Sequence, residues 1–229
     1  IHIPEDRLAA TDIPRYFRDK GGNSLFVVPT QLRRLLDLAR PGEQLLGDLV
    51  LLLCSGAPLS SLERRRTVAN LCTNFHEYYA STEGGGVSLS GPLGRDTHYE
   101  SVGRPVFGVS VQIVNEDDRP LGTGTIGRLR YTGPGVAQGF LNDPEETRSH
   151  FNRGWFYPGD LAEIDQEGFI YLRGREKDMV ISGGINIYPN EIEDVIRGID
   201  GIVDVAVVGI PDADLGERVV CAWVGVDGL

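Results

Sequence analysis

An unbroken apolar run, Leu49-Val50-Leu51-Leu52-Leu53-Cys54, stops at Ser55-Gly56-Ala57-Pro58 and gives way to a polar, arginine-rich stretch over 60–70. Such a run, bounded by turn residues, predicts a strand buried on both faces followed by a helix. The residues before it repeat the theme. A helix, the turn Gly21-Gly22 and a strand over 25–28 fill 15–28. Thr30 stands where an N-cap hydroxyl would accept from the first free helical N–H groups. Leu32, Leu35, Leu36 and Ala39 then fall on one helical face, and Pro41-Gly42 ends it. Strands alternating with helices predict a parallel sheet, in which ligands bind beyond the carboxyl ends of the strands. The loops at 55–58 and 79–86 are expected at such ends.

From Tyr99 the texture changes. Short strands over 109–114, 127–131, 161–164 and 168–172 are separated by turns such as Glu116-Asp117-Asp118 and Asp165-Gln166-Glu167-Gly168. This predicts an antiparallel, barrel-like layer. Within it, Asp143-Pro144-Glu145-Glu146 opens a short helix, with proline at the first helical position. After Lys177 the pattern resets to a helix from Pro189, with Ile192, Val195, Ile196 and Ile199 on one face, and strands over 203–210 and 218–226. The expected class is α/β: part of a parallel α/β domain over 1–98, the antiparallel layer over 99–175, a hinge at 176–178, and the start of a small α+β domain over 179–229. Ile1-His2-Ile3-Pro4 and Asp227-Gly228-Leu229 read as cuts through a larger protein.

Charge narrows the partners. Twenty-two basic against thirty-three acidic residues give a net −11, which repels nucleic-acid backbones. An anionic ligand must therefore be held by locally placed cations, a metal ion or backbone N–H groups. Lys20 and Lys177 are the only lysines. No apolar run approaches the roughly 18 residues of a membrane span. Cys54, Cys72 and Cys221 show no paired spacing, which predicts buried reduced thiols and a cytoplasmic setting. His2, His76, His98 and His150 have no metal-ligand spacing.

Four constellations can carry chemistry. In Tyr79-Ala80-Ser81-Thr82-Glu83-Gly84-Gly85-Gly86, a ring can lie on a purine, a hydroxyl can meet a phosphate and a carboxylate can hold Mg²⁺, a hard ion preferring oxygen. A glycine-rich surface turn has the same composition. Asp160, after Pro158-Gly159, can accept from both hydroxyls of a ribose while Arg175 donates nearby; two turn residues read the same way. Lys177-Asp178 fits a hinge or a solvated charge pair, and Gly183-Gly184 fits a close ligand approach or a plain hairpin turn.

The order and spacing of the motifs say more than each alone. Ser-Gly-Ala-Pro-Leu (55–59), Tyr-x-x-Thr-Glu (79–83), Val-Gly-Arg-Pro (102–105), Gly-Phe-Leu-Asn-Asp-Pro-Glu-Glu-Thr (139–147), Gly-Trp-Phe-x-x-Gly-Asp (154–160), Gly-Arg-x-Lys-Asp (174–178) and Ser-Gly-Gly-x-Asn-Ile-Tyr-Pro-x-Glu-Ile-Glu (182–193) together resemble the adenylate-forming superfamily, in particular its acyl-CoA synthetase branch. The resemblance implies a two-step ligase. A carboxylate attacks the α-phosphorus of ATP to give an acyl-adenylate; the small domain then swings about a hinge and the thiol of coenzyme A displaces AMP.

By the same resemblance, Tyr79 packs on the adenine, Thr82 contacts the α-phosphate, Glu83 holds Mg²⁺, and Ala80 and Ser81 complete the nucleotide segment. The Gly56-Ala57-Pro58 backbone lines the adenine and acyl pockets, and Asp160 binds the ribose with Arg175. Lys177 falls at the hinge and Gly183-Gly184 beside the coenzyme A tunnel. Ala80 stands where the family usually has glycine, and Tyr157-Pro158 replaces the commoner Thr before Gly-Asp. The family's upstream phosphate loop and its late catalytic lysine have no counterpart in these residues. Lacking such a cation costs on the order of 3–5 kcal/mol of transition-state stabilisation, so the chain by itself is expected to bind adenylate weakly and catalyse poorly. Two alternatives stand beside the CoA ligase: an adenylation module that loads a carrier protein, and a non-catalytic nucleotide-binding remnant.

Overall fold

The computed structural model describes residues 8–92 and 97–226; both chain ends singled out above lie outside that range. The chain divides into two compact units, Ile1–Phe107 and Gly108–Leu229.

The first unit carries helix α1 (Ile13–Lys20), strand β1 (Ser24–Val27), helix α2 (Pro29–Leu36), strand β2 (Leu51–Cys54), helix α3 (Ser61–Asn70) and strands β3 (Phe75–Ser81), β4 (Gly85–Ser90) and β5 (Arg104–Pro105). The sheet order is β1-β2-β3-β4-β5. β1, β2 and β3 run parallel, and β4 and β5 are added antiparallel. One register row crosses four strands, Val27–Cys54–Glu77–Ser90, and all four residues are buried. Leu32, Leu35 and Leu36 of α2 pack with Leu52, Leu71, Cys72 and Phe75 to form the core.

Two local expectations are corrected here. α2 starts at Pro29, so Thr30 lies inside the first turn and the capping position is Val28. Proline supplies a preset φ at the first helical position, and the Gln31 carboxamide oxygen returns to accept the Val28 N–H at 3.2 Å. β2 is shorter than its apolar run and alternates: Leu52 and Cys54 are fully buried, while Leu51 and Leu53, on the opposite face, are half-buried. Among the described residues, the helices pack on the first face, so composition overstated the burial.

The second unit is antiparallel. Strands β6 (Ser110–Val114), β7 (Gly127–Thr132), β8 (Phe151–Asn152), β9 (Trp155–Phe156), β10 (Asp160–Ile164) and β11 (Ile170–Arg175) form one sheet, ordered β11-β10-β7-β9-β8 with β6 also on β7. Helix α4 (Pro144–His150) precedes β8, and Asp143 caps it by accepting the Glu146 N–H at 3.0 Å. A 3₁₀ turn over Glu176–Asp178 leads to a four-stranded sheet of β12 (Val180–Ser182), β13 (Ile185–Ile187), β14 (Ile202–Asp212) and β15 (Gly216–Gly225), ordered β13-β12-β15-β14. Helix α5 (Pro189–Arg197) covers the edge of β14 with polar side chains: Glu193 accepts the Val207 N–H at 2.9 Å, and Arg197 donates to the Val205 carbonyl at 3.3 Å. An edge strand covered in this way is shielded from further pairing. The chain is thus a mixed α/β fold with one sheet that is parallel over β1–β3 and antiparallel over β3–β5, and two antiparallel sheets.

Candidate functional site

In the first unit, β2 ends in the loop 55–58. Its backbone is fixed at both ends. The Ser55 N–H donates to the Val27 carbonyl at 3.2 Å, carrying the β1–β2 ladder one residue further. Gly56 adopts φ +106°, which favours glycine. Beyond Pro58, Ser60 caps α3 reciprocally: its hydroxyl accepts the Glu63 N–H at 3.2 Å, and the Glu63 carboxylate accepts the Ser60 N–H at 2.7 Å. Burial works against a charged Glu63, yet the Arg33 guanidinium and the Ser60 donors outweigh it and hold the carboxyl below its ordinary value.

The segment 79–86 was expected to be a loop. Instead Tyr79, Ala80 and Ser81 end β3, and Thr82-Glu83-Gly84 form the turn of a hairpin into β4. The pairs Tyr79↔Ser88 and Ser81↔Gly85, with a bulge after Tyr79, extend the ladder beyond β2, whose last residue pairs with Glu77. Four further residues carry the hairpin about 13 Å past that row. Tyr79, two residues on, therefore stands near the level of the 55–58 loop, and Thr82 and Glu83 stand at the tip. The Ser81 hydroxyl accepts the Gly84 N–H at 2.9 Å and closes the turn. A Cβ at Gly86 would lie 1.7 Å from the Tyr78 hydroxyl, so a side chain there requires that ring to move. Thr82 is exposed and Glu83 half-buried.

In the second unit, Asp160 and Arg175 are opposite residues of β10 and β11, with the guanidinium 3.0 Å from the carboxylate. The Asp160 side chain is 10% exposed and that of Arg175 54%, so a mostly buried acceptor is paired with a donor that reaches solvent. Gly159, at φ +81°, makes the corner before Asp160, and its carbonyl accepts the Glu176 N–H at 2.9 Å. Lys177 is exposed within the 3₁₀ turn that joins the two sheets. Gly183 and Gly184, both at positive φ, form the two-residue turn between β12 and β13, which is the chemistry such a hairpin demands.

Two sets of supporting residues were not anticipated. Arg64, one of three consecutive arginines, is buried against Glu77; the sequence offers no sign of which arginine turns inward. Tyr157 joins Asp118 and Arg130, 39 and 27 positions away. Among the described residues, no three His, Cys, Asp or Glu side chains converge as a metal cage, and no helix is long and apolar enough to cross a membrane. Cys54 and Cys72 are buried as expected, whereas Cys221 is exposed on β15, because the β14–β15 hairpin is covered only in part.

Residues 1–141 match the model of the AMP-binding enzyme family. The chain is similar to a medium/long-chain-fatty-acid–CoA ligase of Mycobacterium tuberculosis, 31% identical over 91% of this chain and 37% of that one. It is also similar to a feruloyl-CoA synthase of Amycolatopsis, 34% identical over 89% of this chain and 42% of that one. The ATP-bound structure of MatB from Rhodopseudomonas palustris superposes with a TM-score of 0.89 at 34% identity, covering 97% of this chain and 44% of that protein. The chain thus spans less than half the length of these relatives. On the matched family model, the shared fold and the ordered motifs, this chain belongs to the AMP-binding, adenylate-forming enzyme family.

Proposed function

We propose that the chain forms part of an ATP-dependent acyl-CoA ligase, which activates a fatty or aryl carboxylic acid as its adenylate and transfers the acyl group to coenzyme A in a cytoplasmic setting. The observation that carries this reading is the mostly buried Asp160 carboxylate with its partly exposed Arg175 partner. A carboxylate offers acceptors only, as two vicinal ribose hydroxyls require. Tyr79 then packs on the adenine beside the 55–58 backbone, with Ala80 and Ser81 completing that wall, and Thr82 donates to the α-phosphate. Lys177 serves as the hinge, and Gly183-Gly184 borders the thiol's path.

The chemistry follows from leaving groups. A carboxylate oxygen bonds to the α-phosphorus as pyrophosphate departs. The resulting anhydride carbonyl is then attacked by the sulfur of coenzyme A, and AMP leaves with the electron pair. Mg²⁺ would neutralise charge developing on the phosphates. Glu83 fits it as a single carboxylate ligand, since that ion takes one or two carboxylates and fills its remaining positions with water and phosphate oxygens. No lysine follows Lys177 in these residues, so the chain alone should bind the adenylate better than it makes it.

The test is calorimetric titration of the chain with a non-hydrolysable acyl-sulfamoyl-adenosine, with Asp160→Ala as comparison. Binding that Asp160→Ala abolishes supports the reading. Equal binding by both forms removes Asp160 from the site and overturns it.

A further inference from the structure

The corner that delivers Asp160 is held by a polar cluster distant in sequence. Tyr157 is 9% exposed, and its hydroxyl is engaged from two sides. Arg130 of β7 donates to it at 2.9 Å, and it donates to the Asp118 carboxylate at 3.1 Å. Asp118, in the β6–β7 turn at φ +62°, also accepts from Arg128 at 2.8 Å. Arg130 is itself fixed by Gln112 of β6, at 2.7 and 3.1 Å, and lies 4.7 Å over the Trp155 ring. On the backbone side, the Tyr157 N–H donates to the His150 carbonyl at 2.8 Å.

Only two residues separate this anchor from Asp160. Pro158 has its φ fixed by its ring. Gly159 is free in principle, but its carbonyl is held by the Glu176 N–H. The proline φ and the held Gly159 carbonyl limit the path from the anchored ring to the carboxylate, and the Arg175 contact completes the aim. An unanchored residue at 157 would leave the carboxylate's aim to the β10–β11 pairing and the Arg175 contact alone.

We propose that Tyr157 is a positioning residue for the ribose: through Asp118 and Arg130 it aims the Asp160 carboxylate without touching the nucleotide. This rests on the reading of Asp160 given above and names the groups on which its geometry depends. The cluster also gives physical content to the Tyr157-Pro158 pair that stands where the family commonly has threonine.

The experiment compares two ligands by calorimetry on the chain, an acyl-sulfamoyl-adenosine and its 2′,3′-dideoxy counterpart. Tyr157→Phe keeps the ring and removes the hydroxyl. It is expected to weaken the first ligand roughly three- to tenfold, the worth of one or two hydrogen bonds, and to leave the second unchanged. Asp118→Asn, which retains an acceptor, should lose less than Asp118→Ala. A merely structural role would lower the melting temperature and weaken both ligands alike. That result, or an unchanged preference for the hydroxylated ligand in Tyr157→Phe, overturns the proposal. Asp160→Ala separates the two ideas. If it fails to erase the preference between the ligands, the ribose role of Asp160 falls and the positioning role with it. If it erases the preference and Tyr157→Phe does not, only the positioning role falls.

Discussion

Arg64 and Glu77 face each other inside the first unit, both less than a tenth exposed, joined by hydrogen bonds of 2.5 and 3.0 Å. A third guanidinium nitrogen donates to the Tyr99 carbonyl at 3.0 Å. The pair ties α3 to the strand that continues into Tyr79, and it answers the one carboxylate in a buried row otherwise made of Val27, Cys54 and Ser90.

Removing one member leaves the other charged, buried and unanswered. Arg64→Ala should therefore cost roughly 3–5 kcal/mol, read as a lower urea midpoint for the first unit. Replacing both by apolar residues of similar volume should cost much less. A loss below about 1 kcal/mol for Arg64→Ala would show that water reaches the pair.

Cys54 sits in the same row. Burial, with the nearby charges of Glu77 and Glu63 adding to it, pushes its thiol up to about 12. At pH 8 in native buffer, iodoacetamide should alkylate exposed Cys221 and spare Cys54 and Cys72, and in urea all three should react; mass spectrometry of the peptides reads this. The shift also sets a pH dependence. The folded state keeps the proton longer than the unfolded one, so this stabilisation is complete below pH 9 and is lost as pH rises toward 12. Cys54→Ala should flatten that alkaline limb.

How much of this was legible beforehand divides by range. Local periodicity and turn chemistry gave the strand–helix alternation and the helix start at Pro144, and offered the Gly183-Gly184 turn as one of two readings, because each depends on residues a few positions apart. Asp160 and Arg175 were assigned to one site because both lay in recognisable motifs; that they pair with each other, 15 residues apart, comes from the β10–β11 ladder. The β3–β4 hairpin was missed because glycines at 84–86 read as a loop, whereas Gly85 and Gly86 are ladder partners of Ser81 and Ala80. The Tyr157 cluster was out of reach, since nothing local links position 118 to position 157.

Glu63 should govern part of the acid limb. Its carboxyl is held below the ordinary 4.5, so it contributes stability that is present above pH 4.5 and is lost as pH falls through the lower folded value. Glu63→Gln should be less stable than the parent at pH 7, and the gap should close in acid. Ser60→Ala, which removes the hydroxyl half of the cap, should cost about 1 kcal/mol. Parallel stability curves for parent and Glu63→Gln across pH 3–7, a window set by the roughly one-unit tails of such titrations, would rule out this role.

Gly103 tests whether the Val-Gly-Arg-Pro motif is a packing requirement. At φ +93° it lies directly behind β4, and a Cβ there would come 2.0 Å from the Leu89 carbonyl oxygen and 2.3 Å from the Ser90 nitrogen. Both are backbone atoms of a paired strand, so neither yields as a side chain would. The neighbours reinforce the approach: the Ser88 hydroxyl donates to the Val102 carbonyl at 2.9 Å, and Leu89 pairs with Arg104. Gly103→Ala must therefore separate β5 from β4 or strain both, at roughly 3–5 kcal/mol. Gly42→Ala is the control within the same unit. Its φ of +75° is equally left-handed, but nothing lies within 4 Å of its added methyl, so it should cost only about 1–2 kcal/mol for the conformation. Urea unfolding of both variants isolates the clash from the torsion, and equal losses would mean that the glycine is needed for its φ alone.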